Sequence, residues 1–182
     1  MLNKDILTMI DLTVGNMFDQ SADPLQDLKI LKLQESSWII RLCSINHNST
    51  VLDYGAGFGF IANEISKIAK KVYIYNVDKL FIEYCSNLEL ETYNNQPVDI
   101  TIMKDVVENF SIEYFDSVLT KLDTKKLFFN YYNSKLFAHN PPHEYTFSFK
   151  QIETLVKKHN YKVLLHEKNS EKCKVLAIKN CG

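Results

Sequence analysis

Hydrophobic residues near the start of the chain recur every three or four positions, which is the period of an amphipathic helix. This pattern predicts helical structure over residues 1–46. A second helix begins at Asp23-Pro24, because proline is favoured in the first turn of a helix. The apolar face of this second helix carries Leu25, Leu28, Leu31, Trp38, Ile39 and Leu42.

Beyond residue 50, short apolar strands alternate with stretches of helical period. The pattern predicts strands at 51–54, 72–77, 98–103 and 116–120, and helices at 59–69 and 80–90. Alternation of this kind is typical of a parallel sheet with helices on both faces.

The stretch 121–149 fits two interpretations. Residues with the spacing of one helix face, behind a possible cap at Asp123, are Leu127, Phe128, Tyr131, Tyr132 and Leu136. The alternative is a strand at 127–132. Only six residues separate Thr120 from Leu127, and a crossover between parallel strands takes about a dozen or more, so a helix is predicted. A turn at 140–142 and a short strand at 143–147 follow, because prolines end helices.

The carboxyl-terminal part of the chain has the clearest signals. Ser148 and Gln151 are spaced as a capping box that opens a helix at 149–159. Strands at 161–167 and 174–179 flank a polar turn and predict an antiparallel hairpin. The fold class is therefore α/β, with three layers (α/β/α) and a mostly parallel sheet that ends in this hairpin. We expect a single domain over 1–182, in which helices 1–46 cap the carboxyl ends of the strands and 47–182 form the core.

Composition limits the functions that this chain can have. The formal net charge is −1, and Arg41 is the only arginine among the 21 basic residues. Because a strong positive field and planar donors for base recognition are both lacking, no sequence-specific nucleic acid is expected as a partner. No apolar run approaches about 18 residues, which argues against a membrane and favours a cytoplasmic location. The four cysteines form no CxxC pair, so no metal site is expected.

Three of the five glycines are concentrated at one point. Gly55, Gly57 and Gly59 alternate directly after the strand 51–54 and before a helix. Glycine permits tight turns and a close approach of the backbone to a ligand. A strand, a glycine turn and a helix N-terminus are the parts of a nucleotide site in an α/β sheet. Asp78 ends the next strand about 20 residues later, where an acid can accept hydrogen bonds from both ribose hydroxyls.

The segment 51–59, V-L-D-Y-G-A-G-F-G, resembles the V-L-D-x-G-x-G-x-G motif of class I S-adenosylmethionine (SAM)-dependent methyltransferases. The terminal hairpin is also similar to their topology, and the resemblance covers roughly residues 30–180. It implies a Rossmann-like fold, SAM as the cofactor, and transfer of a methyl group to oxygen or nitrogen of a small-molecule acceptor.

The resemblance also implies a role for each part of the site. The glycine turn would pass under the methionine part of SAM, and Asp78 would bind the ribose. Asp105 would face the adenine amino group with Val106 against the ring, while Asp53 would brace the turn or meet the amine of the cofactor. The residues expected to bind the cofactor are Asp53, Tyr54, Gly55, Ala56, Gly57, Gly59, Phe60, Asp78, Lys79, Leu80, Asp105 and Val106.

Two other functions are considered beside methyl transfer, and one further motif could suggest a nucleic-acid substrate. A nicotinamide site requires G-x-G-x-x-G, and Phe60 occupies the place of its third glycine. A protein that binds SAM without transferring a methyl group is the other alternative. Asn140-Pro141-Pro142-His143 resembles the [DN]-P-P-[YF] motif of methyltransferases that act on adenine or cytosine, but it stands about 20 residues after the fourth predicted strand and is interpreted as a turn. No catalytic residue is predicted.

Overall fold

A seven-stranded sheet forms the centre of the computed structural model, which describes residues 23–132, 145–168 and 172–180. Its strands are β1 (Thr50–Tyr54), β2 (Lys71–Tyr75), β3 (Glu91–Thr92), β4 (Val98–Met103), β5 (Thr124–Tyr132), β6 (Tyr161–Lys168) and β7 (Lys172–Lys179). Its helices are α1 (Pro24–Cys43), α2 (Phe60–Ser66), α3 (Lys79–Ser86), α4 (Ile112–Lys121) and α5 (Phe149–Lys158), with a 3-10 turn at Val107–Asn109.

The strands lie in the order β3-β2-β1-β4-β5-β7-β6. β1 to β5 are parallel to one another, whereas β7 is antiparallel to both β5 and β6. The mostly parallel sheet with a terminal antiparallel hairpin is therefore confirmed. Because β1 lies between β2 and β4, the segments that follow these three strands meet at one edge of the sheet.

Two apolar clusters cover the two faces of the sheet. On one face, Ile39 of α1 and Ile65 of α2 pack with Phe128 of β5. On the other face, Phe115 of α4 and Ile152 of α5 pack in the cluster that contains Leu127, Phe129 and Val175. Neighbouring residues of β5 thus point to opposite layers, and the three-layer α/β/α architecture is confirmed.

The prediction for residues 116–132 is wrong, and the rest of the predicted helix lies outside the described residues. The segment 116–120, predicted as a strand, belongs to α4, which begins after Ser111, whose side chain accepts a hydrogen bond from the Tyr114 N–H. Since α4 is itself the crossover helix, the chain has enough length to return as β5, where a helix was predicted. β5 is buried on both faces for most of its length, so its sequence lacks the alternation that identifies a half-exposed strand.

The segment 98–103 is the fourth strand of the sheet and not the third. The third strand, β3, consists of two exposed residues that pair with Tyr73 and Ile74 at the edge. Only residues 93–97 connect it to β4, so this crossover contains no helix. As a result, Asp105 follows a strand next to β1, on the side of β1 opposite to β2.

Helix α1 starts as predicted, with the Asp23 side chain accepting a hydrogen bond from the Gln26 N–H and Pro24 in the first turn. Its amino-terminal half reaches the carboxyl edge of the sheet, where Lys32 contacts Asp105. Residues 1–22 lie outside the described residues, and the helical cap over 1–46 stays a prediction. The predicted turn at 140–142 and His143 also lie outside them.

Helix α5 begins as predicted, and the helices of the described ranges can also be checked for membrane spans. The capping box predicted for α5 is present, since Ser148 and Gln151 each bind the other's backbone. None of the helices in these ranges combines the length and the hydrophobicity that crossing a membrane requires.

Candidate functional site

The glycine turn after β1 is held by hydrogen bonds to the end of β2. The Gly55 N–H donates to the Tyr75 carbonyl at 2.7 Å. The Asn76 side chain accepts from the Gly57 N–H at 2.9 Å and donates to the Gly57 carbonyl at 3.3 Å. Gly55, Gly57 and Gly59 have φ angles of 79°, 53° and 71°, a region that side chains disfavour. The turn is therefore held by hydrogen bonds to the end of β2, and its path depends on glycine.

The three glycines differ in what surrounds them. A Cβ atom on Gly55 would lie 2.4 Å from Val106 Cγ2, and one on Gly59 would lie 2.8 Å from Leu90 Cδ1. A Cβ atom on Gly57 would meet no atom within 4 Å. The outer two glycines are therefore needed for packing inside the protein, whereas Gly57 presents bare backbone to open space.

Asp53 lies beneath this turn and is nearly inaccessible, with 2% of its surface exposed. Its Oδ2 atom is buried and has no hydrogen-bond partner among the described residues. The carboxyl group faces the Ala62 N–H in the first turn of α2. Burial raises the pKa of Asp53 to about 7, although Lys32 and Lys104 act in the opposite direction. A buried acid with an unpaired oxygen is unusual in a native protein and points to a binding site.

We expect Asp53→Asn to change how stability depends on pH. The carboxyl group ionises near pH 4 in the unfolded chain and near pH 7 in the folded protein. Its contribution to the free energy of unfolding is therefore complete below pH 4 and is lost as the pH rises to 7. One pKa unit corresponds to about 1.4 kcal/mol. Without ligand, the free energy of unfolding of Asp53→Asn should therefore rise by roughly 1–3 kcal/mol relative to that of the wild-type protein when the pH is raised from 5 to 8. Denaturant titrations at the two pH values measure this gain, and parallel pH profiles would contradict the expectation.

Asp78 stands three residues after β2, at the carboxyl edge of the sheet, and two residues after Asn76, which contacts the glycine turn. Its Oδ1 atom accepts a hydrogen bond from the Leu80 N–H at 2.8 Å and so caps α3. Two apolar side chains, Val77 and Leu80, lie next to it and are 82% and 38% exposed. Lys79 is also exposed. An accessible carboxylate between exposed apolar side chains suits a ligand that carries both hydroxyls and a ring.

Asp105 is at the same edge but is surrounded by cations. Its Oδ1 atom accepts from Asn130 Nδ2 at 2.8 Å and Lys172 Nζ at 2.7 Å. Its Oδ2 atom accepts from Lys32 Nζ at 3.2 Å and also from Lys104 Nζ. The three lysines hold the pKa of this carboxyl well below its usual range, despite its burial. An aspartate has about four lone-pair positions, and these four donors occupy them.

Glu108, in the 3-10 turn after β4, is fully buried. Neither of its carboxylate oxygens accepts a hydrogen bond from another described residue. Lys172 Nζ is 3.9 Å from Oε1 and lies 4.9 Å from the centre of the Tyr132 ring. Burial, reinforced by the nearby Asp105, raises the pKa of Glu108 to about 7. Sequence reasoning missed this residue, because nothing in the local pattern shows that an acid in this turn is buried.

Most of the other residues expected to bind the cofactor line or support the turn. Val106 packs against Gly55, and the Ala56 N–H donates to the Tyr75 carbonyl at 3.3 Å. The Tyr54 ring is stacked on Tyr75, with centroids 4.4 Å apart. Phe60 differs, because its side chain is buried in the apolar cluster of Leu28 and Phe58. Asn76, which braces Gly57, is a further residue that sequence reasoning missed.

Comparison with curated proteins gives a match to part of the chain. It is 39% identical over 79 residues to a probable ribosomal RNA small subunit methyltransferase A from Pyrococcus furiosus. The match covers 43% of this chain and 25% of that protein, so the chain spans about a quarter of the length of this relative. No model of a known protein family matches.

Solved structures match the fold over nearly the whole chain. A SAM-dependent methyltransferase from Clostridium acetobutylicum has a TM-score of 0.68 and 12% identity, with 97% of this chain and 98% of that one covered. The magnesium protoporphyrin IX methyltransferase of Synechocystis, solved with bound SAM, has a TM-score of 0.63 and 11% identity, with 99% of both chains covered. The expectation drawn from the motif at 51–59 is confirmed at the level of the fold. The chain has the fold of the SAM-dependent methyltransferases.

Proposed function

We propose that the chain binds SAM over the glycine turn and transfers its methyl group to an acceptor. The observation that carries this proposal is the open side of Gly57, in a turn that follows Asp53 at the end of β1 and is braced by Asn76, two residues before Asp78. The unpaired Oδ2 of Asp53 suits the amine of the methionine part. Asp78 suits the ribose, because its carboxylate is accessible and can accept two charge-assisted hydrogen bonds.

The strand order determines how the cofactor would lie along the edge. With the ribose over β2 and the methionine part over β1, the adenine extends toward β3 and the methyl group faces β4. The four donors around Asp105 leave it no lone pair for an adenine amino group. We therefore assign Asp105 to organising the lysines on the acceptor side, and Val106 to supporting the turn from below.

The chain's main contribution to the reaction would be positioning. When bound, SAM supplies an electrophilic methyl group that reacts with an oxygen or nitrogen lone pair in line with the carbon–sulfur bond. Holding two reactants in such a geometry contributes about 7–11 kcal/mol toward the barrier. The glycine turn and the buried Asp53 fix one reactant, and the segment after β4 would face the other.

A small molecule is the acceptor that we favour. Lys32, Lys104 and Lys172 are all paired with acids at this edge, so they form no continuous surface for phosphates. The match to an rRNA methyltransferase favours RNA as a second candidate. Incubation with labelled SAM and either a metabolite extract or ribosomal RNA separates the two, because label enters only the true acceptor.

The cofactor itself is tested by a ligand-induced rise in melting temperature. A ligand at a hundredfold excess over its Kd stabilises the native state by about 2.7 kcal/mol. We expect SAM and S-adenosylhomocysteine (SAH) to raise the melting temperature and NAD and FAD to leave it unchanged. A rise with NAD alone would support the nicotinamide alternative. A rise with SAM but no methyl transfer to any acceptor would indicate a protein that only binds the cofactor.

A further inference from the structure

Asn76 continues a series of hydrogen bonds that holds the glycine turn against the end of β2. The N–H groups of Gly55 and Ala56 both donate to the Tyr75 carbonyl, at 2.7 Å and 3.3 Å. These two bonds end on a backbone atom, so they do not depend on which side chain follows β2. The next N–H, that of Gly57, instead donates to the Asn76 side chain at 2.9 Å. At Gly57 the path of the turn therefore depends on the identity of a side chain.

The amide group of Asn76 holds the Gly57 backbone from both directions. Its Oδ1 atom accepts from the Gly57 N–H, and its Nδ2 atom donates to the Gly57 carbonyl at 3.3 Å. The N–H and the carbonyl belong to the two peptide units on either side of the Gly57 Cα atom. An aspartate of the same length would offer acceptors only when ionised. The side-chain amide therefore fixes the position of this Cα atom in a way that its acidic counterpart does not.

The polar groups of Gly57 face the protein, whereas its Cα atom faces open space. Asn76 is buried, with 9% of its surface exposed. The Gly57 carbonyl also lies 3.4 Å from the Cys85 thiol, which is a weak donor. On the other side, a Cβ atom on Gly57 would meet no atom within 4 Å. A ligand lying over the turn would therefore contact Gly57 through its Cα atom.

We propose that Asn76 is a positioning residue that determines where the methionine part of SAM lies by fixing Gly57. The inference rests on the proposed function, in which the methionine part lies over the glycine turn and Asp78 binds the ribose. Asn76 acts through Gly57 and does not itself touch the cofactor. Because the amide orders the turn before binding, the cofactor does not have to order it, and preorganisation of this kind increases affinity.

The ribose half of the proposed site is held independently of Asn76. The Asp78 carboxylate accepts from the Leu80 N–H at 2.8 Å, and this bond remains when the amide at position 76 is removed. The ligand 5′-methylthioadenosine has the adenine, the ribose and the sulfur of SAH but lacks its amino-acid part. Loss of the Asn76 amide should therefore weaken the binding of SAH and have little effect on 5′-methylthioadenosine.

Asn76→Ala tests this difference, because it removes both hydrogen bonds to Gly57. We expect it to weaken SAH binding about tenfold or more and to leave the affinity for 5′-methylthioadenosine within about threefold of the wild-type value. Titration calorimetry measures both affinities, and a melting curve shows that the variant is folded. A merely structural Asn76 would lower the melting temperature without changing the ratio of the two affinities. An unchanged ratio would overturn the proposal.

Asn130→Ala is the matched control. Asn130 is also buried, and its side chain makes two hydrogen bonds to one residue. It accepts from the Asp105 N–H at 2.7 Å and donates to the Asp105 carboxylate at 2.8 Å. Its replacement should lower stability and keep the ratio of SAH affinity to 5′-methylthioadenosine affinity at the wild-type value. The same change of ratio in both variants would overturn a specific role for Asn76.

Amide hydrogen exchange in the wild-type protein tests the same point without any variant. The Gly57 N–H should be protected before a ligand is added, as the Gly55 N–H is expected to be, since both already donate to protein oxygens. A Gly57 N–H that exchanges freely and becomes protected only with SAH would overturn the proposal, because the ligand would then hold the turn. If Gly57 is protected but SAM, SAH and 5′-methylthioadenosine all fail to bind the wild-type protein, the proposed function is wrong, and the role of Asn76 in cofactor binding is overturned with it.

Discussion

Gly57→Ala is expected to weaken SAM binding by about a hundredfold or more while leaving the protein folded. The new Cβ atom meets nothing within 4 Å inside the protein, so it points into open space, where we propose that the cofactor lies. The φ angle of 53° costs an alanine about 1–2 kcal/mol in folding stability. Titration calorimetry with SAM and a melting curve without ligand measure the two effects separately.

Gly59→Ala is the control for strain in the backbone. Its φ angle of 71° imposes a similar cost, but its Cβ would lie against Leu90 and Cys85 in the interior. We expect Gly59→Ala to lose stability and to retain affinity within severalfold once folded. Gly55→Ala should be the least stable of the three variants, because its Cβ atom would lie only 2.4 Å from Val106 Cγ2. If Gly57→Ala binds SAM as tightly as the wild-type protein, the cofactor does not pass over this turn.

The elements that the sequence predicts correctly are those for which two different sequence signals agree. The start of α1 has both a cap and a proline, and α5 has both a capping box and a helical period. The hairpin of β6 and β7 has two apolar runs flanking a polar turn. The fold class follows from these elements together with the glycine turn, because they fix both the first crossover and the end of the sheet.

The prediction for the segment 116–132 is wrong because a short apolar run fits either period. Phe115, Val118 and Leu119 lie on the buried face of α4, but the five residues 116–120 taken alone also suit a buried strand. The prediction of a helix at 123–136 followed from that first choice, since a strand at 116–120 leaves no room for a crossover. β3 had no hydrophobic signal at all, because both of its residues are exposed at the sheet edge.

The sequence also predicts the positions of some residues of the candidate site and not of others. Asp53, Gly57 and Asp78 lie next to the ends of strands that the sequence identifies, so their positions followed from local pattern. The lysines around Asp105 come from α1, the turn after β4, and β7, and the burial of Glu108 depends on how these elements pack. Contacts between residues that are distant in sequence depend on strand order and register, which local periodicity does not contain.

Asp78→Asn is expected to weaken SAM and SAH binding about tenfold to a hundredfold. A charge-assisted hydrogen bond contributes about 1.5–3 kcal/mol, and each 1.4 kcal/mol is about tenfold in Kd. The amide oxygen of asparagine can still accept from the Leu80 N–H, the bond that caps α3. This variant therefore removes the charge and keeps the helix cap, whereas Asp78→Ala would also cost about 1 kcal/mol of stability.

Asp116→Asn is the matched control for this change. Asp116 is a half-buried carboxylate of α4 that pairs with Lys158 and His159 near the end of α5, far from the carboxyl edge of the strands. Titration calorimetry should give wild-type affinity for Asp116→Asn and the loss for Asp78→Asn alone. Because the cofactor's sulfur plays no part in the ribose contact, the loss should be the same for SAM and SAH. Equal affinities of the two variants would mean that Asp78 does not bind the ribose, and the orientation with adenine over β3 would lose its support.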